Sequence, residues 1–180
     1  MVKENKRQTG QERRKNILER LKNAKDPLAG KVLADEMHVS RQVIVTDIAL
    51  LKTKEHPIIG TNRGYLYVDE TADQDLFRKV IVCKHDANET RQELEAIVDC
   101  GVTVRDTIIE HPFYGELTGS LMLKSRYDVD RFMEVIENEE AALLSHLTDG
   151  VHLHTIEADL EEKIDAACRR LAELGILVEN

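Results

Sequence analysis

His152 and His154 stand two apart in the segment Val151-His152-Leu153-His154-Thr155-Ile156, whose other members favour extended backbone. A strand's period of two puts both imidazoles on one face and Val151 and Leu153 on the other, so two nitrogen donors point one way. Upstream, the apolar run Val80-Ile81-Val82 leads through Cys83 to His85, and a helix opening near Glu89 places Glu93 in its first turns. If the two strands share a sheet, three imidazoles and a carboxylate converge. Neutral imidazole suits zinc, nickel, copper or iron, and four protein donors still leave a coordination position for an outside molecule. The same spacing also fits a solvated strand face. Cys83 shares strand parity with His85 and is a less favoured donor.

Positioning those residues requires a particular order of elements. Apolar periodicity predicts a strand over 77–85, a helix over 89–99 closed by Gly101, strands over 102–110 and 117–123, a helix over 127–138, a strand over 151–156 and a helix over 159–174. Ile176-Leu177-Val178 can add a terminal edge. That β-α-β-β-α-β-α order implies a two-layer α+β domain with helices on one face of an antiparallel sheet, where the first and last long strands can be neighbours.

At 180 residues the chain suits a small module joined to a medium one, and 42% hydrophobic residues can fill two cores. No apolar run approaches the roughly 20 residues that span a bilayer, and the charged start shows no signal-peptide pattern, so a cytoplasmic protein without membrane contact is expected. Three cysteines, far apart and in no C-x-x-C spacing, argue against a disulfide framework or a cysteine zinc site, and Cys100 and Cys168 read as small buried hydrophobes. The net charge of −9 divides unevenly. Residues 1–68 hold 14 Lys+Arg against 8 Asp+Glu, a net of +6, and residues 69–180 hold 11 against 26, a net of −15. A basic module beside an acidic one suggests that the first meets a polyanion.

The basic block has the pattern of a DNA reader. After a helix capped by Thr9 and ended at Asp26-Pro27, the stretch from Leu28 to Leu51 resembles the helix-turn-helix of winged-helix repressors, especially the biotin-repressor-like group. Leu33, Met37, Val39, Ile44, Ile48 and Leu51 form its buried seam, Ala34 allows two helices to cross closely, and Ser40 caps the second helix. His38 occupies the turn position where glycine is usual, which implies a positive φ there and excludes it as a metal donor. Ile58 to Val68 reads as two short strands about Asn62-Arg63-Gly64, a wing with a cation at its tip. The exposed side of the second helix offers Ser40, Arg41, Gln42, Val45 and Thr46 to a major groove, while Lys52, Lys54 and Arg63 suit phosphate or the minor groove. The expected domains are 1–68, a linker over 69–73, and 74–180.

The segments Val82-Cys83-Lys84-His85, Ile109-Glu110-His111-Pro112-Phe113-Tyr114-Gly115-Glu116 and Gly150-Val151-His152-Leu153-His154-Thr155-Ile156 together resemble the three-histidine domain. Their order behind a winged helix is similar to that of the NiaR family of niacin-responsive transcriptional repressors, over nearly the whole chain. The resemblance implies a repressor of NAD-biosynthesis and niacin-uptake genes that binds double-stranded operator DNA when nicotinic acid is present. It implies His85, Glu93, His152 and His154 as ligands of a divalent transition metal such as zinc or nickel, and a second domain similar to the phosphocarrier protein HPr. Nicotinic acid offers a pyridine nitrogen and a carboxylate to such a cation, and His111, Phe113 and Tyr114 can close over its ring or simply pack a turn. His56 and His146 are assigned to the surface. Reading a palindrome calls for a homodimer, although no stretch identifies its interface.

Rival functions follow from the same residues. An enzyme lacks an evident general base beyond Glu93 and any phosphate-cradling glycine loop, and a biotin ligase would need a longer catalytic segment. A regulator sensing the cation itself, or one phosphorylated on histidine, stands as the alternative.

Overall fold

The computed structural model describes residues 8–68, 75–139 and 143–178, with the side chains of 138 and 139 left aside. The expected linker over 69–73 lies outside the described residues. The chain divides into two compact units, Met1–Thr71 and Ala72–Asn180.

The first unit is a winged helix. Thr9 and Glu12 form a capping box that starts α1 (Gly10–Asn23), in which Ile17 and Leu21 are buried one turn apart. α2 (Gly30–Glu36) and α3 (Arg41–Lys52) flank a turn whose tightest residue, His38, has φ 54°, as the missing glycine requires. Ser40 Oγ accepts the Val43 N–H at 3.4 Å to cap α3. Leu33, Ala34, Ile44, Ile48 and Leu51 close a core with Ile17, Leu21 and Ile58, and Met37 and Val39 pack half-buried against it. β1 (Ile58–Thr61) and β2 (Gly64–Tyr67) make the wing, antiparallel with Thr61 opposite Gly64.

Two features of this unit give the sequence no obvious mark. Leu28 and Tyr65 exchange backbone hydrogen bonds of 2.8 and 2.9 Å, so the residues before α2 act as a third, one-bridge strand of the wing. Asp47, 2% exposed on α3, is gripped by Arg13 and Arg14 of α1. Arg20 likewise pairs with Glu36 at 2.6 Å. Part of the basic block's charge is therefore spent inside the unit, joining α1 to the other two helices.

The second unit is the expected two-layer fold. β3 (Phe77–Lys84), β4 (Thr103–His111), β5 (Gly115–Leu123) and β6 (Val151–Ala158) form one antiparallel sheet in the order β3-β6-β4-β5. α4 (Thr90–Val98), α5 (Arg126–Glu139) and α6 (Glu161–Glu173) supply the second layer. Leu94, Ile97, Val129, Phe132, Ile164 and Leu171 from the helices meet Ile81, Cys83, Val104, Leu121, Leu123 and Ile156 from the sheet. Cys100 and Cys168 pack against this core half-buried, more open than their apolar surroundings in the sequence suggest. β6 runs two residues past Ile156 because Glu157, buried in the strand, pairs with Arg78 and Arg105 and keeps register with β3. α4 is preceded by a 3-10 turn over Ala87–Glu89. The terminal edge forms as a single bridge, Leu177 to Cys83, with the Val178 N–H donating to Val82 O at 2.9 Å. No helix among the described residues is long and apolar enough to cross a membrane.

Gly64 is the residue on which the wing's seat depends. Its φ is +136°, and a Cβ there would lie 2.2 Å from the carbonyl oxygen of Leu28, a fixed backbone atom. Gly64→Ala is expected to destabilise the first unit by about 2 kcal/mol or more, through strain and displacement of the Leu28 bridge. Gly60→Ala, whose added carbon meets only the Tyr65 ring at 3.8 Å, serves as the control in thermal unfolding and is expected to shift stability by less than about 1 kcal/mol.

Candidate metal centre and nucleic-acid interface

Adjacency of β3 and β6 brings the separated histidines together. In their register Cys83 lies opposite His152 and Ile81 opposite His154, so the end of β3 that leads to His85 is beside the start of β6. His152 and His154 are 3% and 2% exposed, on the same face as Ile156, and Glu93 is 1% exposed on the α4 surface that covers it. The site thus lies between the layers rather than on a solvated strand face.

Each imidazole is oriented by a backbone carbonyl. Nδ1 of His85 contacts Asp86 O at 2.7 Å, Nδ1 of His152 contacts Gly150 O at 2.9 Å, and Nδ1 of His154 contacts Asp106 O at 2.6 Å. A carbonyl can only accept, so each Nδ1 carries the proton and each Nε2 turns inward with its lone pair available. The three Nε2 atoms meet the Glu93 carboxylate at 2.8 Å from His85, 3.1 Å from His152 and 3.4 Å from His154. The rings stand edge to face, with centroids 4.9 Å apart for His85 and His152 and 4.8 Å apart for His152 and His154.

Such a cluster is electrostatically incomplete. Lone pairs on three nitrogens and a carboxylate cannot face one another at these distances unless protons or a cation lie between them. The donors of His85, Glu93 and His152 fall within 4.8 Å of one another. His154 stands slightly wider, and its Nε2 is buried with no hydrogen-bond partner, the 3.4 Å contact lacking the geometry of one. An orphaned inward-facing nitrogen beside two further imidazoles, each held by a carbonyl, and a carboxylate fits a borderline divalent cation.

Local sequence explains much of this placement. Gly150 opens β6 with φ +83°, and a Cβ there would fall 2.3 Å from His85 O, so only glycine lets the first strand end approach the last strand start. Asp106 was not singled out by spacing, yet its carbonyl holds His154 and its carboxylate accepts the Thr155 N–H at 2.8 Å. Cys83 is fully buried, and burial together with the neighbouring Glu93 charge pushes its thiol upward, away from the thiolate that coordinates metals.

His111, Phe113 and Tyr114 sit elsewhere. They cluster at the β4–β5 turn, with His111 5.0 Å from the Tyr114 ring, and Phe113 and Tyr114 are 88% and 76% exposed. The His111 Nδ1 accepts the backbone N–H groups of Phe113 and Tyr114, so the ring braces its own turn. None of the three lines the cavity beside the histidines, which is walled instead by Thr90, Thr107, Leu121, Phe132 and Leu143. His146 is exposed and His56 half-buried.

The first unit displays the other candidate residues on one surface. Ser40, Arg41, Gln42, Val45, Thr46 and Lys52 are exposed along α3, although the Thr46 hydroxyl is partly satisfied by Gln42 O at 3.1 Å. Arg41 leans over Gly30, and with Lys31 and Arg63 it surrounds a cleft between the start of α2 and the wing. Three cations around one cleft beside an exposed helix face have the chemistry to meet a polyanion.

Comparison with known proteins gives the same division. Residues 13–66 match a helix-turn-helix domain and residues 78–180 match the 3H domain. The chain is 49% identical to the transcription repressor NadR of Bacillus subtilis over 95% of its own length and 96% of that protein's. It is 39% identical to the probable transcription repressor NiaR of Thermotoga maritima, over 94% and 95%. This chain belongs to the NadR/NiaR family. The NadR/NiaR proteins are transcription repressors rather than enzymes, and the winged helix described above is their DNA-binding part.

The cluster also sets a pH dependence in the absence of a cation. Burial raises the Glu93 carboxyl, but the charge on His154 and the hydrogen bonds from His152 and His85 outweigh it and hold the group well below its ordinary range. Burial depresses His85 and His154, and Glu93 more than compensates, raising both. The depressed carboxylate contributes stability present above its ordinary 4.5 and lost as pH falls through its folded value. The raised imidazoles contribute stability present below their ordinary 6.5 and lost as pH rises through their folded values. Calorimetry of the cation-stripped chain is therefore expected to show this cluster's contribution greatest between pH 4.5 and 6.5 and declining above it. Glu93→Gln should flatten the profile, and an unchanged profile would count against the coupling.

Proposed function

We propose that this protein represses NAD-biosynthesis and niacin-uptake genes as a homodimer on operator DNA. Nicotinic acid serves as co-repressor, sensed at a divalent transition-metal site, zinc or nickel, formed by His85, Glu93, His152 and His154. The observation that carries this reading is the inward convergence of three Nε2 atoms on Glu93 with every Nδ1 held by a carbonyl. The names of the relatives, NadR and NiaR, point to the same regulation.

When bound, the cation supplies an electrophilic position for the ligand's carboxylate or ring nitrogen. The protein's part is orientation and enclosure. The carbonyls of Asp86, Gly150 and Asp106 fix the imidazoles, and α4 carries Glu93 over the sheet to exclude water. Control of DNA binding then requires that the ligand favour one spacing of two recognition helices over others, about 34 Å for successive major grooves. Phosphorylation on histidine is disfavoured because all three inward nitrogens are buried against Glu93.

Gel-shift titration separates the readings. Nicotinic acid is expected to tighten operator binding in cation-loaded protein and to lose that effect after chelation or in His154→Ala. Tightening by the cation alone, with no response to the vitamin, would identify a metal sensor instead. For the DNA surface, Arg41→Ala and Gln42→Ala are each expected to weaken specific binding by about 1–3 kcal/mol, whereas Lys52→Ala should lower the salt dependence by about one counterion without altering base preference.

A further inference from the structure

The cavity next to the histidines contains a polar atom that neither the core nor the candidate metal site uses. Thr90 is 6% exposed, and its Oγ1 is buried with no hydrogen-bond partner. It lines the same cavity as the orphaned Nε2 of His154. Thr90 and Glu93 are three apart on α4, which puts them on one face about one turn from each other. The remaining wall is apolar, with Leu94, Leu121, Phe132, Leu143 and Leu144.

An unpaired buried hydroxyl is costly, and a β-branched apolar residue of the same shape would remove that cost. A polar group there is explained if something entering the cavity pairs with it. Space and charge restrict what that is. The volume of this partly open cavity is about 30 Å³, enough for one small polar group and not for a whole ring. Three neutral imidazoles and one carboxylate around a divalent cation leave one net positive charge in an apolar enclosure, which favours a monoanion over a neutral ligand. A carboxylate also has lone pairs to spare for a hydroxyl donor. A pyridine nitrogen has one lone pair and cannot serve both the cation and Thr90.

We propose that Thr90 reads the ligand: its hydroxyl donates to the carboxylate of a small aromatic monocarboxylic acid that enters acid group first, the ring remaining outside the cavity. The proposal rests on the co-repressor reading above and adds the orientation and the residue that selects it. It predicts a preference for the acid over the corresponding amide, whose neutral head does not balance the charge. Thr90 is not one of the four candidate ligands, so its substitution leaves the cation site intact.

Titration calorimetry on the cation-loaded full chain tests it with four probes: nicotinic acid, nicotinamide, benzoate, which lacks the ring nitrogen, and 3-methylpyridine, which lacks the carboxylate. Wild-type protein is expected to bind nicotinic acid tightly, nicotinamide at least about tenfold more weakly and benzoate measurably, with no heat from 3-methylpyridine. Thr90→Val should weaken both acids about tenfold, with metal content unchanged and the melting temperature of ligand-free protein equal or higher, while Thr90→Ser should stay within about threefold of wild type. Equal affinity of wild type and Thr90→Val for nicotinic acid, or binding of 3-methylpyridine where benzoate fails, overturns the proposal and leaves the co-repressor reading standing. Absence of nicotinic acid binding by loaded wild-type protein overturns both.

Discussion

The second unit is organised around a charge it cannot leave alone. Glu93 is almost wholly buried, and a lone carboxylate in that position would cost on the order of several kcal/mol, a large share of a domain's net stability. Everything near it answers that demand: three nitrogens face it, three carbonyls hold those nitrogens from behind, and a glycine lets two strand ends approach closely enough for the set to assemble. The ordinary hydrophobic core of Ile97, Val104, Ile156 and Leu171 fixes the layers, and the polar cluster fills the end of the same interface. Core and site are thus continuous, and a change of occupancy at one bears directly on packing in the other.

In the first unit a second buried carboxylate has a different partner. Asp47 on α3 meets two arginines from α1, which ties the first and third helices together and withdraws two cations from the surface. Exposed cations remain on α3, at Lys31 and along α1 at Lys15 and Lys22. The net charge of the block therefore overstates its free charge, and the arrangement, not the total, defines the binding surface.

The fold was largely legible because its period signals are unambiguous. Alternation around His152 and His154, the helical spacing of Leu94 and Ile97, and the capping residues Thr9 and Ser40 each corresponded to one element. The neighbourhood of His85 and Glu93 followed from helix and strand order plus the pairing of first and last strands. Contacts made by backbone were not legible: the carbonyl of Asp106, the Leu28 bridge and the carbonyl of His85 against Gly150 carry no side-chain signature. The hairpin aromatics illustrate the opposite failure. Phe113 and Tyr114 have the chemistry to stack on a ring, but sequence proximity to a motif does not say which way a turn points, and this one points outward.

The pairing of β3 with β6 also governs when the site can exist. Half of its donors precede the long β4–β5–α5 excursion and half follow it, so a growing polypeptide on the ribosome holds no pocket until the sixth strand has emerged and docked. A cation held by these donors would consequently arrive late in biogenesis, in chains that have completed their sheet. Truncated or misregistered products would lack the assembled donor set.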